Sequence, residues 1–422
     1  MAVSTVEFAG ICSWGNAALI SAVTANIRAM IQRHPAGERE SLIFNMGGLD
    51  GTAAFIQCPS DAPFMLSANS TGGANFHAAN VVAAAIATDH PTVRVMVDAY
   101  EMTQFPPKAA FRFHPNVIVR VCVTSEMGYD GQNGLPKELP LTDARNAYWL
   151  ARLKAWRAAA DTVYVWDYTQ HASYTTTPLP NYFITAENFK TFHSLGVKGW
   201  FAESVCCHPR EEMVELKVYL WGRLAFDPTL NATALTEGFL RGFYGEDAAP
   251  HVMRYLVVLD SAMRASGGGR PGTPRPFTTN SAEKRAEQSW AWGPYAACFD
   301  SATVLGAAGA LSQAAVASAS NAKSAVRIAQ AKTALQFIAF YRWAELKEYA
   351  HATASSWPFD DDLGKEFETF VATMNVSGPH GKPITSTSAK LAPDNSTNTK
   401  GEVTFTELRK QLLGAGENAG VE

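Results

Sequence analysis

The chain has 422 residues, 47% hydrophobic and 18% charged, with a formal net charge of −4. That composition supports a sizeable core and excludes a wholly disordered chain. It shows no run of five or more basic residues and no apolar run of membrane-spanning length, so neither nucleic acid nor a membrane is expected as a partner.

In chain order, residues 16–33 carry Leu19, Ile20, Val23, Ile27, Met30 and Ile31 at helical spacing. A β-type run at 41–45 follows and breaks at Gly47-Gly48-Leu49-Asp50-Gly51. Residues 74–89 read as a helix, 93–97 as a strand, and 117–123 as the most hydrophobic strand of the set. The connection between those two strands, through Pro106-Pro107, looks too short for a full crossover helix. A helix over 142–160 precedes a strand at 163–166, and a short helix over 187–194 precedes a strand at 197–202. This alternation predicts a parallel sheet with helices outside it. A closed (β/α)8 barrel takes eight strands. The expected fold class is therefore α/β: a partial TIM-type barrel lacking its N-terminal strands, followed by an all-α C-terminal module.

After Glu203 only helical periods remain, over 210–225, 232–244, 250–264, 282–317 and 322–351, with a Gly/Pro/Ser-rich linker at 265–280. Beyond about residue 375 the chain is rich in Ser, Thr, Asn and Pro. There Gly401–Leu408 resembles the second half of a calcium loop with Glu407 at its end, but Ser396 and Lys400 stand where carboxylates belong, and a capping box, Thr404 to Glu407, accounts for it better. The domain reading is 1–205 as the catalytic-like part of a barrel, 206–375 as a helical domain, and 376–422 as a polar tail with a short helix.

The chemistry-bearing residues fall at strand ends, the rim where a (β/α) barrel holds its site. Asp98 and Tyr100 follow the second strand, Glu126 the third, and Glu203 closes the last. Trp166-Asp167-Tyr168 sets a carboxylate between two aromatics, which suits a sugar with an apolar ring face and hydroxyl edges. Asp50 sits in a Gly-rich bend, where backbone can approach a ligand closely. Glu126, Asp167 and Asp50 are the candidate catalytic residues, and Asp98, Tyr100, Trp166, Tyr168 and Glu203 the candidate substrate-binding ones. Asp98 could as easily pair with an arginine. His114, His171, His193 and His208 lack metal-ligand spacing, six scattered cysteines form no C-x-x-C, and no phosphate-binding Gly-rich loop is present, so no metal or cofactor is expected.

The succession Leu49-Asp50-Gly51, Val97-Asp98-Ala99-Tyr100, His114-Pro115-Asn116, Trp166-Asp167-Tyr168, Pro178-Leu179-Pro180-Asn181 and Gly196-Val197-Lys198-Gly199, continued by Tyr219–Pro228 and Glu237–Gly245, resembles the domain of unknown function 4838 family. The resemblance covers roughly residues 10–260 and rests on the order of the motifs. It implies a barrel-type glycoside hydrolase similar to α-glucuronidases and, more distantly, β-hexosaminidases, with a helical domain after the barrel. The expected function is hydrolysis of a polysaccharide or a uronic-acid-containing oligosaccharide by carboxylate acid/base chemistry. The alternative is a catalytically inactive carbohydrate-binding relative or a truncated fragment. Met1–Asn16 does not read as an export signal, while sequons at Asn69, Asn231, Asn375 and Asn395 permit secretion. Oligomeric state leaves no mark in the sequence.

Overall fold

The computed structural model describes residues 13–47, 58–100, 103–123, 139–169, 177–203, 212–266 and 298–375. Asp50, Glu126, most of the 265–280 linker, the first part of the 282–317 helix and the tail with Glu407 lie outside the described residues. The chain divides into two compact units, one of residues 1–135, 141–167 and 191–202, the other of 136–140, 168–190 and 203–422.

The first unit opens with α1 (Ala17–Arg33), capped by Asn16, whose Oδ1 accepts the Ala18 N–H at 2.9 Å. Its stripe Ile20, Thr24, Ile27 and Ile31 is buried, as the helical period requires. The strands are β1 (Ile43–Asn45), β2 (Arg94–Ala99), β3 (Val117–Cys122), β4 (Thr162–Tyr168) and β5 (Gly199–Glu203). They lie parallel in the order β1-β2-β3-β4-β5, curled into a half-barrel that alternates with helices. The intervening helices are α2 (Ala62–Ala68), α3 (Gly73–Ala87), α4 (Ala147–Ala159) and α5 (Tyr182–Ser194).

Register separates the two faces of the sheet. One face holds rows of small branched residues: Val97 beside Val119 beside Val163, then Ala99 beside Val121 beside Val165. All are buried, with α3 packed on β2 and β3 and α4 on β3. Valine suits this position because its branched side chain packs on a pleated surface. The other face is polar and less covered, with Asp98 beside Arg120 beside Tyr164, and Cys122 beside Trp166.

Among the described residues the β2–β3 link carries no α-helix. Its Phe111 and Phe113 instead pack edge-on against Phe76 of α3, which also meets Trp156 of α4 at 5.5 Å between ring centroids. Aromatic packing thus covers part of the sheet where a crossover helix would lie. Helix α5 begins at Tyr182, earlier than 187, directly after the Pro178–Asn181 punctuation that halts the preceding chain.

The second unit is helical: α6 (Val214–Phe226), α7 (Ala232–Tyr244), α8 (Ala249–Ala265), α9 (Ser301–Ala317), α10 (Ala322–Ala352) and α11 (Leu363–Asn375). The expected 282–317 helix is interrupted, since Cys298–Asp300 are not helical and Asp300 caps α9 by accepting the Thr303 N–H at 2.8 Å. Helix α10 kinks at Arg342 (φ −126°, ψ 24°), a buried arginine that turns aside to bond the Phe299 carbonyl and Glu345. Helix α11 was not expected. Phe367 and Phe370 bury against Phe340, at centroid distances of 5.4 and 5.2 Å. Among the described residues no helix is long and apolar enough to cross a membrane.

Candidate functional site

The polar face of the half-barrel is organised by one ion pair. Arg120 donates from Nε to Asp98 Oδ1 at 2.6 Å and from Nη2 to Oδ2 at 2.9 Å, the bidentate geometry that a planar guanidinium favours. They meet because β2 and β3 pair in a register that sets Asp98 opposite Arg120. Asn45, at the end of β1, donates to Asp98 Oδ2 at 3.2 Å and accepts the Gly47 N–H at 2.8 Å. Gly47 lies against the carboxylate so closely that a Cβ there would collide with Asp98 Oδ2.

Two aromatic rings lie against the guanidinium. Arg120 lies over Trp166 at 4.7 Å and over Phe201 at 5.2 Å from the ring centroids, within cation–π range. Tyr100 stacks on Trp166 at 4.9 Å, and Trp166 meets Phe201 edge-on at 5.8 Å. Thr103 holds the turn that presents Tyr100. Its hydroxyl donates to the Asp98 carbonyl at 2.6 Å and accepts the Tyr100 N–H at 3.2 Å.

Of the residues singled out from sequence, Asp98, Tyr100 and Trp166 come together here. Asp98 is engaged with Arg120, the arginine pairing that the sequence left open. Asp167 is buried and alternates onto the other face, in line with Val163 and Val165. Tyr168 is the last residue of β4, and Glu203 the last of β5, where its carbonyl accepts the Thr169 N–H at 3.0 Å. Asp50 and Glu126 lie outside the described residues. Sequence reasoning missed Asn45, Arg120 and Phe201. A signal for Arg120 existed: it is the one charge inside the apolar run Val117–Val123, and a lone charge in a buried strand needs a partner.

A second polar cluster lies in the helical unit. Glu212 and Lys217 are both buried, with Nζ and Oε2 3.5 Å apart. Tyr182 and Tyr255 both donate their hydroxyls to Glu212 Oε1, the latter at 2.8 Å. The Lys217 ammonium also lies 5.6 Å from the Tyr182 ring centroid and 6.0 Å from that of Trp221. Burial first, then the Glu212 charge, pushes both phenols well above the ordinary tyrosine range. The residue before α6, Met213, takes a left-handed conformation (φ 52°), a costly one for a side chain other than glycine. The sequence held a clue here as well, since Lys217 falls on the apolar stripe Met213, Leu216, Leu220, Leu224 of α6. Among the described residues, no group of three or more His, Cys, Asp and Glu is placed to hold a metal ion.

A parallel half-barrel with a polar, aromatic-bearing face, followed by a helical region, defines the structural class. A family model described as Domain of unknown function (DUF4838) matches residues 9–257, and the chain belongs to that family. Among solved structures it is similar to a GH138 enzyme targeting pectin rhamnogalacturonan II, at 10% sequence identity and a TM-score of 0.31, over 97% of this chain and 80% of that one. A likeness that slight carries no argument about activity. No curated protein matches the chain.

Proposed function

We propose that this protein is a glycoside hydrolase acting on a polysaccharide or an oligosaccharide that contains uronic acids, by carboxylate acid/base hydrolysis. The observation that carries the reading is the polar face of the half-barrel, where Trp166 and Phe201 lie against Arg120 of the Asn45–Asp98–Arg120 cluster and Tyr100 stacks on Trp166. Aromatic faces receive the apolar C–H face of a sugar ring, while charged donors and acceptors engage its hydroxyl edges. In this reading residues 1–205 carry the sugar chemistry, 206–375 form the helical domain and 376–422 the polar tail.

Glu126 and Asp167 are the proposed acid/base pair, with Asp50 as a third candidate. Tyr100, Trp166, Tyr168 and Glu203 are proposed to line the substrate, and Asp98 to act through Arg120. Two carboxylates suffice for glycoside hydrolysis, so the proposal needs no cofactor. The test is a screen of aryl glycosides and aryl uronides, followed by Glu126→Gln and Asp167→Asn. Each substitution is expected to cut turnover by at least ~100-fold with the fold intact. Hydrolysis that survives both unchanged places the chemistry elsewhere.

A second reading, a carbohydrate-binding relative without turnover, is favoured by two observations. Asp98 is fully engaged by Arg120 and Asn45, and Asp167 is buried in line with Val163 and Val165. Sugar binding without hydrolysis across the whole screen would select it.

A further inference from the structure

We infer that Arg120 is a specificity-determining residue for carboxylated sugars: its guanidinium is held side-on by Asp98 beside two touching aromatic rings, leaving the end-on fork of Nη1 and Nη2 for the carboxylate of a uronic acid. The inference rests on the sugar-binding reading of this face, but not on hydrolysis.

The argument begins with the donors. A guanidinium has five N–H groups in a fixed plane and no acceptor. Asp98 takes the edge formed by Nε and one hydrogen of Nη2. Both hydrogens of Nη1 and the second hydrogen of Nη2 remain, and these form the other bidentate edge. Among the described residues nothing accepts from Nη1, and the Arg120 side chain is 17% exposed. An arginine that served only to neutralise Asp98 could do so with that edge covered.

The plane is also fixed before a ligand arrives. Trp166 and Phe201, which meet edge-on at 5.8 Å, lie on adjoining sides of it at 4.7 and 5.2 Å, and Phe201 is itself 42% exposed. Asn45 donates to the Asp98 carboxylate, and Gly47 closes off the space behind it, so the holder of the guanidinium is held in turn. Pre-organisation of this kind lowers the entropy lost on binding. A uronic acid matches the arrangement, because its carboxylate accepts the fork while its ring lies beside aromatic carbon. A neutral sugar offers a hydroxyl, which satisfies one donor at a time and lacks the charge assistance.

The test measures binding of glucuronate and galacturonate against glucose and galactose by ligand-observed NMR and calorimetry, with the full chain. The wild-type protein is expected to prefer the uronates. In Arg120→Gln the ratio of uronate to neutral-sugar affinity should fall by at least about tenfold, the usual scale for losing a charge-assisted bidentate contact. Because Arg120→Gln alone strands Asp98, the double variant Arg120→Gln/Asp98→Asn, which removes both charges together, is the control for folding and should show the same loss. Arg120→Lys, which keeps the charge but not the fork, should fall between. A wild-type protein that binds neutral sugars as well as uronates, or a preference undiminished in the double variant, overturns the inference. Uronate binding with no turnover of any aryl uronide overturns the hydrolase reading and leaves this one standing.

Discussion

Two ion pairs, one in each compact unit, differ in geometry and in exposure. Asp98 and Arg120 form a short, bidentate contact on a polar sheet face, with one guanidinium edge still open. Glu212 and Lys217 are looser, 3.5 Å apart, and sealed among Tyr182, Tyr255 and Trp221 with side chains at most 1% exposed. The sealed pair is closed to solvent, and among the described residues Glu212 Oε2 lacks a hydrogen-bond partner. Its tyrosine hydroxyls offset part of the cost of removing two charges from water. It fastens the start of α6, next to the strained Met213, onto α5 and α8. Burial alone is therefore a poor marker of function here. Only the open pair has exposed aromatic carbon beside it, at Phe201.

The comparison can be broken most sharply at the sealed pair. Lys217→Met leaves Glu212 charged and buried, and is expected to cost about 3–5 kcal/mol of stability by chemical denaturation. Adding Glu212→Gln should recover part of that loss, because no uncompensated charge then remains. A double variant as unstable as the sum of the singles would show that the two groups do not interact.

A smaller effect is expected at the open pair. Gly47→Ala drives a methyl into the Asp98 carboxylate and should cost about 1–3 kcal/mol, the range for overpacking. It should also weaken uronate binding, since Asp98 holds Arg120. Unchanged stability together with unchanged binding would mean that Gly47 is not the backstop of this carboxylate.

Tyr255→Phe removes one of two hydroxyls from Glu212 and should cost about 1–2 kcal/mol, since hydrogen bonds to charged groups exceed neutral ones. No change on this substitution would leave Tyr182 as the one effective hydroxyl partner of the carboxylate among the described residues.

The smallest effect is at the α10 kink. The hydrogen bond from Arg342, then that from Ser301, holds the Glu345 carboxyl down from its ordinary 4.5 to about 2. A carboxyl lowered in the folded state stabilises fully above its unfolded value and loses that contribution as pH falls toward the folded one. Wild type and Glu345→Gln should therefore differ most above pH 4.5 and converge as pH approaches about 2. Because Glu345 is about half exposed, the difference will be small, and a gap that widens on acidification would contradict the sign.

Much of the architecture was legible locally. Each of the five β runs falls within a residue or two of an observed strand, because a branched apolar run of that length between helical periods has few other uses. The 232–244 helix was read to the residue, since Asn231 caps it and Gly245 ends it. Helix α11 was missed because its apolar residues follow the irregular Trp357–Asp362 segment, and only packing on Phe340 makes them a face. The site was half legible. Asp98, Tyr100 and Trp166 were named from their strand-end positions, whereas Arg120 and Phe201 were not, because neither stands at the end of its strand.

By itself the sequence determined the alternation of strand and helix, the change after Glu203 to helices alone among the described residues, and the positions of Asp98, Asp167 and Glu203 at or near strand ends. These follow from side-chain period and from capping and breaking residues, which act over a few positions. Tertiary structure decided the partners. Asp98 meets Arg120 across 22 residues, and Glu212 meets Tyr182 and Tyr255 across 30 and 43. Parallel pairing sets its register through crossovers that span many residues, and a one-residue slip would turn Arg120 onto the valine face. No local pattern encodes that choice. It comes from burying the valine face against α3 and α4, which turns the ion pair and its rings onto the opposite face.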